Sequence, residues 1–178
     1  MYLLRGVNLF YPLISIVMSD KKDKKVKYDT RTEKITYKGE TRNIPKRYLG
    51  NLKGKDRQKQ IKSIFEEKKR PETKAKSRKS GYTAKFDKKY GEKLDTMKGK
   101  RSKKNIAEIT GIPLKAVNAV YKKGEGAYFS SGSRPNQTPQ SWARGRLYAY
   151  IMGGKKVRAA DKDITEKFKV KFKIPTEK

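Results

Sequence analysis

Three serines and an arginine lie close together in a polar stretch, GAYFSSGSRPNQTPQSWARGR, residues 126–146. The serines flank Gly132 and stand just before Arg134: Ser130, Ser131 and Ser133. Hydroxyls, backbone amides at a glycine turn and a guanidinium are groups that bind phosphate. The residue order differs from the G-x-x-x-x-G-K-[ST] pattern of phosphate-binding loops. We therefore predict that this serine loop (residues 130–137) contacts phosphate or orients the next helix, and the two roles are compatible.

A helix is predicted directly after the serine loop. Thr138 is a favourable N-cap and Pro139 suits the first turn, so QSWARGRLYAYIM should be helical up to Gly153. Arg144 and Arg146 then point away from the apolar face, where both side chains can contact phosphate.

Two further helices are predicted within SKKNIAEITGIPLKAVNAVYKKG, residues 102–124. Ser102 can cap the first helix, and Gly111 can end it in the left-handed conformation. Pro113 suits the first turn of the second helix, and Gly124 is predicted to end it. The small, turn and packing residues resemble those of a helix-turn-helix.

The outer face of the second helix carries polar residues at helical spacing: Lys115, Asn118 and Lys122. Lysine can contact phosphate, and asparagine is chemically suited to reading adenine. Leu114 weakens the case for base readout, because that position often faces the ligand in such motifs. The alternative interpretation is that the two helices form only a packing unit.

Carboxylates at Asp161, Asp163 and Glu166 could hold magnesium, which prefers oxygen ligands. We favour a solvated charge cluster, because no further acidic constellation accompanies them. The chain contains no histidine and no cysteine, so zinc sites of the usual kind and Cys or His nucleophiles are excluded. We predict no enzymatic activity, metal, cofactor or small-molecule substrate.

The charge of the chain points to a polyanionic partner. Its 178 residues include 48 Lys and Arg against 18 Asp and Glu, for a net charge of +30. Such an excess suits nucleic acid, an anionic membrane surface or an acidic protein. We predict nucleic-acid binding, to DNA rather than RNA. The alternative is a virion structural protein that binds acidic, core or capsid partners.

Short elements should surround the central helices. We therefore predict the α+β class, with a small, mainly helical domain, a short antiparallel hairpin or strand and basic tails. Alternating residues predict a hairpin within 26–38 and a strand at 168–174, which either joins that hairpin or adds to a partner's sheet. A helix is expected over 58–69, and core aromatics at Tyr82, Phe86 and Tyr90 on a helix ending at Gly91.

The chain divides into five predicted segments. They are an apolar leader with a charged tail (1–25), a hairpin plus helix (26–70), a basic linker (71–80), a helical core with the helix pair and the serine loop (81–164), and a basic strand or tail (165–178). The apolar run MYLLRGVNLFYPLISIVM is too short and too interrupted for a membrane span. We interpret Met18 as the natural start, with a short membrane or capsid anchor as the alternative.

Residues 44–164 carry a family resemblance, in IPKRYLGNLKGKDRQKQIKSI, GIPLKAVNAVYKKGEGAYFSSGSRPNQTPQSWARGRLYAYIMGGK and ADKDI. They resemble an uncharacterised domain family of large DNA viruses of algae and of tailed phages, with SSGSRPNQTPQSWA as the most specific part. The resemblance implies a viral origin, and hence a location inside the infected host or in the virion. It implies no catalytic residues, because the family has no established activity.

Overall fold

The computed structural model describes residues 31–75 and 79–178. In these ranges the elements are β1 (Thr32–Tyr37), β2 (Glu40–Pro45), α1 (Lys46–Leu49), α2 (Gly54–Phe65), α3 (Gly81–Thr96), α4 (Lys103–Thr110), α5 (Leu114–Ser130), α6 (Pro139–Ile151), α7 (Lys155–Ala160) and α8 (Lys162–Lys167). The predicted α+β class, mainly helical with one short antiparallel hairpin, is confirmed.

The hairpin lies later in the chain than predicted. β1 and β2 pair antiparallel in a register that joins Thr32 to Pro45. Their two-residue turn is Lys38 and Gly39, with φ of 49° and 83°, and such positive angles match the twist of paired strands. The predicted span 26–38 therefore contributes only its second half, and residues 26–30 lie outside the described residues.

Helix α2 packs its apolar face on the hairpin and α1. The first core cluster comprises Ile44, Tyr48, Leu49, Ile64 and Phe65. The helix was predicted over residues 58–69, and both of its ends lie four residues earlier in the structure. The first turn of α2 consists of polar residues without an apolar period, so the hydrophobic pattern did not predict it. The helix stops at Phe65 because Glu67 adopts a φ of 51°, which breaks the helical backbone.

The second and larger core forms around α5 and α6, where Val117, Val120 and Leu147 are fully buried. Helix α3 covers it with Phe86, whose ring stacks on Tyr148 at a centroid distance of 4.0 Å. The core role predicted for the α3 aromatics is therefore confirmed. The predicted end at Gly91 was wrong, because α3 continues to Thr96.

Capping and turn residues correctly predict the start of α4, the turn that follows α4 and the start of α6. The Ser102 hydroxyl accepts a hydrogen bond from the Asn105 N–H, and Gly111 ends α4 with a φ of 75°. Thr138 and Ser141 form a reciprocal capping box at the start of α6. These caps are confirmed, except that Pro113 precedes α5 as its N-cap residue.

The predicted end of α5 at Gly124 was wrong, because the helix runs through this residue to Ser130. A Cβ atom built on Gly124 would lie 2.7 Å from the Ala143 Cα of α6. Glycine is required there by the close crossing of α5 and α6, and not by a turn.

Residues 168–174 do not form the predicted strand. Their alternation nevertheless reports burial, since the apolar residues pack on the larger core: Phe168, Val170, Phe172 and Ile174. Lys169 turns the backbone with a φ of 49°, and the Ile174 carbonyl accepts from the Arg158 guanidinium at 2.9 Å. The Arg158 guanidinium also lies 3.6 Å from the Phe172 ring centroid. The segment is therefore held by contacts with the Arg158 side chain and not by pairing with a strand.

Glu177 fastens the tail to α3. Its carboxylate accepts hydrogen bonds from the Lys85 ammonium and, at 2.6 Å, from the Tyr82 hydroxyl. The Lys85 contact, followed by that of Tyr82, lowers the pKa of Glu177. At the hairpin, the Lys68 ammonium is the main cause that lowers the pKa of Glu66 from 4.5 to about 2.

We expect the free energy of unfolding to fall as the pH drops from 4.5 toward 2. A carboxylate with a lowered folded pKa stabilises the protein above its unfolded pKa, and the contribution is lost as pH falls through the folded value. Glu177 is partly exposed, so its share should be about 1 kcal/mol or less. Urea unfolding across this pH range checks the expectation. Glu177→Gln should flatten the acid side of the profile, whereas a curve parallel to that of the parent chain contradicts the assignment.

Candidate nucleic-acid interface

The outer face of α5 presents Lys115, Asn118 and Lys122 to solvent. These residues recur every three or four positions, which places them on one side of a helix. The opposite side is buried against α6 and α4 through Val117 and Val120. The helical period used at the sequence level therefore places the three side chains correctly, while their role in binding stays a prediction.

Tyr121 connects this face to the neighbouring helices. Its ring centroid lies 4.6 Å from the Lys103 ammonium at the start of α4, and its hydroxyl donates to the Gln140 carbonyl of α6 at 3.3 Å. Arg144 lies one turn beyond Gln140 and is exposed. Burial raises the pKa of Tyr121, and the Arg144 charge opposes that increase. Lys103 is not predictable from the sequence as part of this face, because its position relative to α5 depends on the packing of α4.

We call the resulting surface the basic face, comprising Lys103, Lys115, Asn118, Lys122 and Arg144. Among the described residues, no carboxylate lies within ion-pair distance of the charged groups of Lys115, Lys122 or Arg144. Glu125 on the same helix acts on Tyr121 electrostatically without forming an ion pair with these cations. The positive charge of the basic face is therefore directed at solvent.

Arg146 lies outside the basic face because it is engaged by Asp161. Its Nε and Nη2 donate to the Asp161 carboxylate at 3.0 and 2.6 Å, and the Lys123 ammonium lies 3.2 Å from the same carboxylate. Lys123 also donates to Asp163, and this contact is the main cause that lowers the pKa of Asp163. Asp161 is completely buried, so two cations neutralise it inside the fold. In residues 31–75 and 79–178, no group of three or more His, Cys, Asp or Glu side chains could hold a metal ion.

The serine loop uses most of its polar groups within the protein. Ser133 is fully buried, and its hydroxyl accepts from the Arg70 Nε at 3.1 Å. The Ser130 hydroxyl donates to the Gly126 carbonyl at 3.2 Å, while Ser131 is exposed at the C-terminal end of α5. Arg134 is half-buried. Four residues of this loop were predicted to contact phosphate: Ser130, Ser131, Ser133 and Arg134. Ser133 cannot do so in this fold, because its side chain is not accessible to solvent.

Asn136 links the serine loop to the segment that follows α2. Its amide donates to the carbonyls of Thr73 and Ala75 at 2.9 and 2.6 Å, and its carbonyl accepts from the Thr73 N–H at 2.8 Å. Gly132 fits against Tyr48, where an added Cβ would lie 3.1 Å from the ring. The loop thus joins the α2 side of the protein to α5 and α6, which favours the structural interpretation.

Arg70 is the buried centre of this junction. Its guanidinium donates to the carbonyls of Ser63, Lys68 and Tyr128, each at 2.6 Å, and lies 4.7 Å from the Tyr128 ring centroid. Burial lowers its pKa, and no carboxylate of the described residues pairs with it. Carbonyls near the ends of α2 and α5 carry the negative ends of the helix dipoles, and they stabilise the charge instead. Nothing in the sequence distinguishes Arg70 from the exposed lysines before it.

Comparison with known proteins places most of this architecture in one family. Residues 40–167 match a domain family described as a family of unknown function (DUF5824). The chain belongs to the DUF5824 family. The matched residues run from β2 to the end of α8 and include both the basic face and the serine loop. The predicted membership of an uncharacterised family is thereby confirmed, whereas the viral origin stays a prediction.

Neither the comparison with curated proteins nor the comparison with solved structures gave a match. Within the described part of this DUF5824 chain, no helix combines the length and apolar character needed to cross a membrane.

Proposed function

We propose that this protein binds nucleic acid through phosphate contacts made by the basic face. The observation that carries the proposal is a set of exposed cations on α5 and α6 that have no carboxylate partner among the described residues, in a chain with a net charge of +30. Neutralising phosphates releases condensed counterions, which favours binding and makes it salt-dependent.

Duplex DNA suits the shape of this face better than duplex RNA. Helix α5 presents Asn118 between Lys115 and Lys122, so an amide can reach a base edge while the lysines contact phosphates on either side. Leu114 is 42% exposed at the start of α5, where its side chain offers no hydrogen bond to a base edge and can contact only a thymine methyl group. The major groove of DNA admits a helix, whereas that of A-form RNA is too narrow.

The biological setting follows from the resemblance and remains part of the proposal. A basic viral protein of this kind would act in genome packaging, condensation or transcription inside the infected host. The alternative, a virion structural protein, loses one of its supporting arguments. Residues 168–174 pack on the protein's own core, so they are not free to extend a partner's sheet.

The proposal is tested with the face variant, Lys115→Gln/Lys122→Gln/Arg144→Gln. We expect its dissociation constant for duplex DNA at physiological salt to rise by about tenfold or more. The slope of log K against log salt should become shallower by about 2 to 3, because each phosphate contact contributes roughly 0.9. Fluorescence anisotropy over a salt series measures both quantities.

The matched control is the control variant, Lys74→Gln/Lys88→Gln/Lys93→Gln, which removes the same charge from exposed positions on α3 and in the segment before it. Its affinity should stay within about twofold of the parent chain if ordered contacts dominate. Equal losses in the two variants would show that binding depends on total charge alone.

A further inference from the structure

A groove separate from the basic face lies between β1 and α2. Its volume is about 560 Å³, within the usual range for small-ligand sites. Its floor is largely apolar, with Ile35 and Tyr37 from β1 and Ile61 from α2. Tyr37 is held in place, because its ring packs on Phe65 at a centroid distance of 5.5 Å and its hydroxyl donates to Glu66 at 3.1 Å.

Three lysines of α2 form the rim of the groove: Lys55, Lys59 and Lys62. They are four and three residues apart, so their Cα positions span about 10 Å along one side of the helix. Among the described residues, no carboxylate lies within ion-pair distance of their ammonium groups.

The nearby carboxylates are already engaged. Glu33 accepts from Arg57 at 2.6 Å, and Glu66 is held by Lys68 and Lys38. Among the described residues, the rim lysines therefore form no ion pair, and only Lys62 acts electrostatically on Glu66. The groove combines an apolar floor with a row of cations along one edge, and its occupant should combine flat apolar surface with regularly repeated negative charge.

We propose that this groove binds a segment of single-stranded nucleic acid, about one or two nucleotides long. An unpaired base packs its face on Ile35, Tyr37 and Ile61, while adjacent phosphates contact the rim lysines. In a duplex the base faces are stacked inside the helix, so only a single strand presents both groups together. An acidic peptide supplies the charge but not a flat apolar face beside every charge. The inference rests on the proposed nucleic-acid binding and adds a second surface with a different substrate.

The test uses the full chain and the groove variant, Lys55→Gln/Lys59→Gln/Lys62→Gln, with a fluorescein-labelled oligothymidylate as the probe. We expect the dissociation constant for this single strand to rise by about tenfold or more, and the salt slope to become shallower by about 2. Affinity for a duplex of equal length should change by less than about threefold. The control variant should leave both affinities near those of the parent chain, and circular dichroism confirms that each variant is folded.

A second readout reports the base contact itself. Oligothymidylate with one 5-iodouracil should form a photo-crosslink to Tyr37, located by mass spectrometry of the digested complex. The crosslink should be weaker in the groove variant and unchanged in the control variant. A crosslink confined to residues outside the groove overturns the proposal.

The outcomes separate the two proposals. If the groove variant binds the single strand like the parent chain while the face variant loses duplex binding, the groove proposal is overturned and the proposed function stands. If the parent chain binds neither probe, both fail. Displacement of oligothymidylate from the groove by polyglutamate at equal charge concentration overturns the nucleic-acid assignment in favour of an acidic protein.

Discussion

Alanine at position 124 is expected to destabilise the folded protein by about 2 kcal/mol, although alanine is the better helix former. Gly124 lies inside α5 where α6 crosses it, and an added Cβ would be 2.7 Å from the Ala143 Cα and 3.2 Å from its Cβ. The obstructing atom belongs to the backbone, so α6 as a whole must move. The resulting loss of packing outweighs the gain of roughly 1 kcal/mol in helix propensity.

Gly126 provides the matched control for Gly124→Ala. It lies two residues further along α5 and is exposed, and an added Cβ would meet no described atom within 4 Å apart from its chain neighbours and its own helix backbone. Gly126→Ala should therefore stabilise the protein by about 0.5 to 1 kcal/mol through helix propensity alone. Urea unfolding of both variants gives the comparison. Changes of the same sign would contradict the close crossing of α5 and α6.

Replacing Arg70 by methionine is expected to cost about 3 to 5 kcal/mol of stability. The substitution keeps most of the side-chain bulk but removes the donors to Ser63, Lys68, Tyr128 and Ser133. Buried carbonyls left without a partner each cost about 1 to 3 kcal/mol. The junction between the α2 side and the α5–α6 pair should open first.

Lys69→Met is the control for Arg70→Met, because Lys69 is the exposed neighbour with the same formal charge. It should change stability by less than about 0.5 kcal/mol. Thermal unfolding and duplex affinity should be measured together on both variants. If Arg70→Met left the melting temperature unchanged and weakened DNA binding, Arg70 would be a phosphate ligand, contrary to its buried position.

Signals confined to a few neighbouring residues were readable from the sequence. Ser102, Gly111 and Thr138 each satisfy or release backbone groups within four residues, so their effect does not depend on the rest of the fold. The helical period likewise identified the exposed residues of α5, because burial against α6 selects one side of that helix. The core aromatics of α3 were predicted on the same basis.

The structural role of a glycine cannot be predicted from its neighbouring residues alone. Gly111 and Gly124 look alike in sequence, yet the first ends a helix with a positive φ and the second permits a crossing. Only the position of α6 separates the two cases. The alternation of residues 168–174 was similarly ambiguous, since it indicates which side chains are buried but not whether the backbone pairs with a strand.

Contacts between segments far apart in the chain could not be predicted from the sequence. Arg70 meets Ser133 across 63 residues, and Asn136 meets Thr73 across the same separation. The sequence therefore fits a phosphate contact and a structural role of the serine loop equally well, and only the partners of Ser133 and Asn136 favour the second. Lys103 and the groove between β1 and α2 were missed for the same reason, because each depends on two elements packing together.

The attachment of the tail to α3 has a consequence for synthesis of the chain. The Tyr82 hydroxyl reaches Glu177 across 95 residues, and Phe172 covers Tyr150 with a ring distance of 5.0 Å. On the ribosome, α3 emerges long before residue 177, so the aromatic side of the larger core stays uncovered until translation has passed the tail. We therefore expect apolar surface of the nascent chain to stay accessible to chaperones throughout that interval.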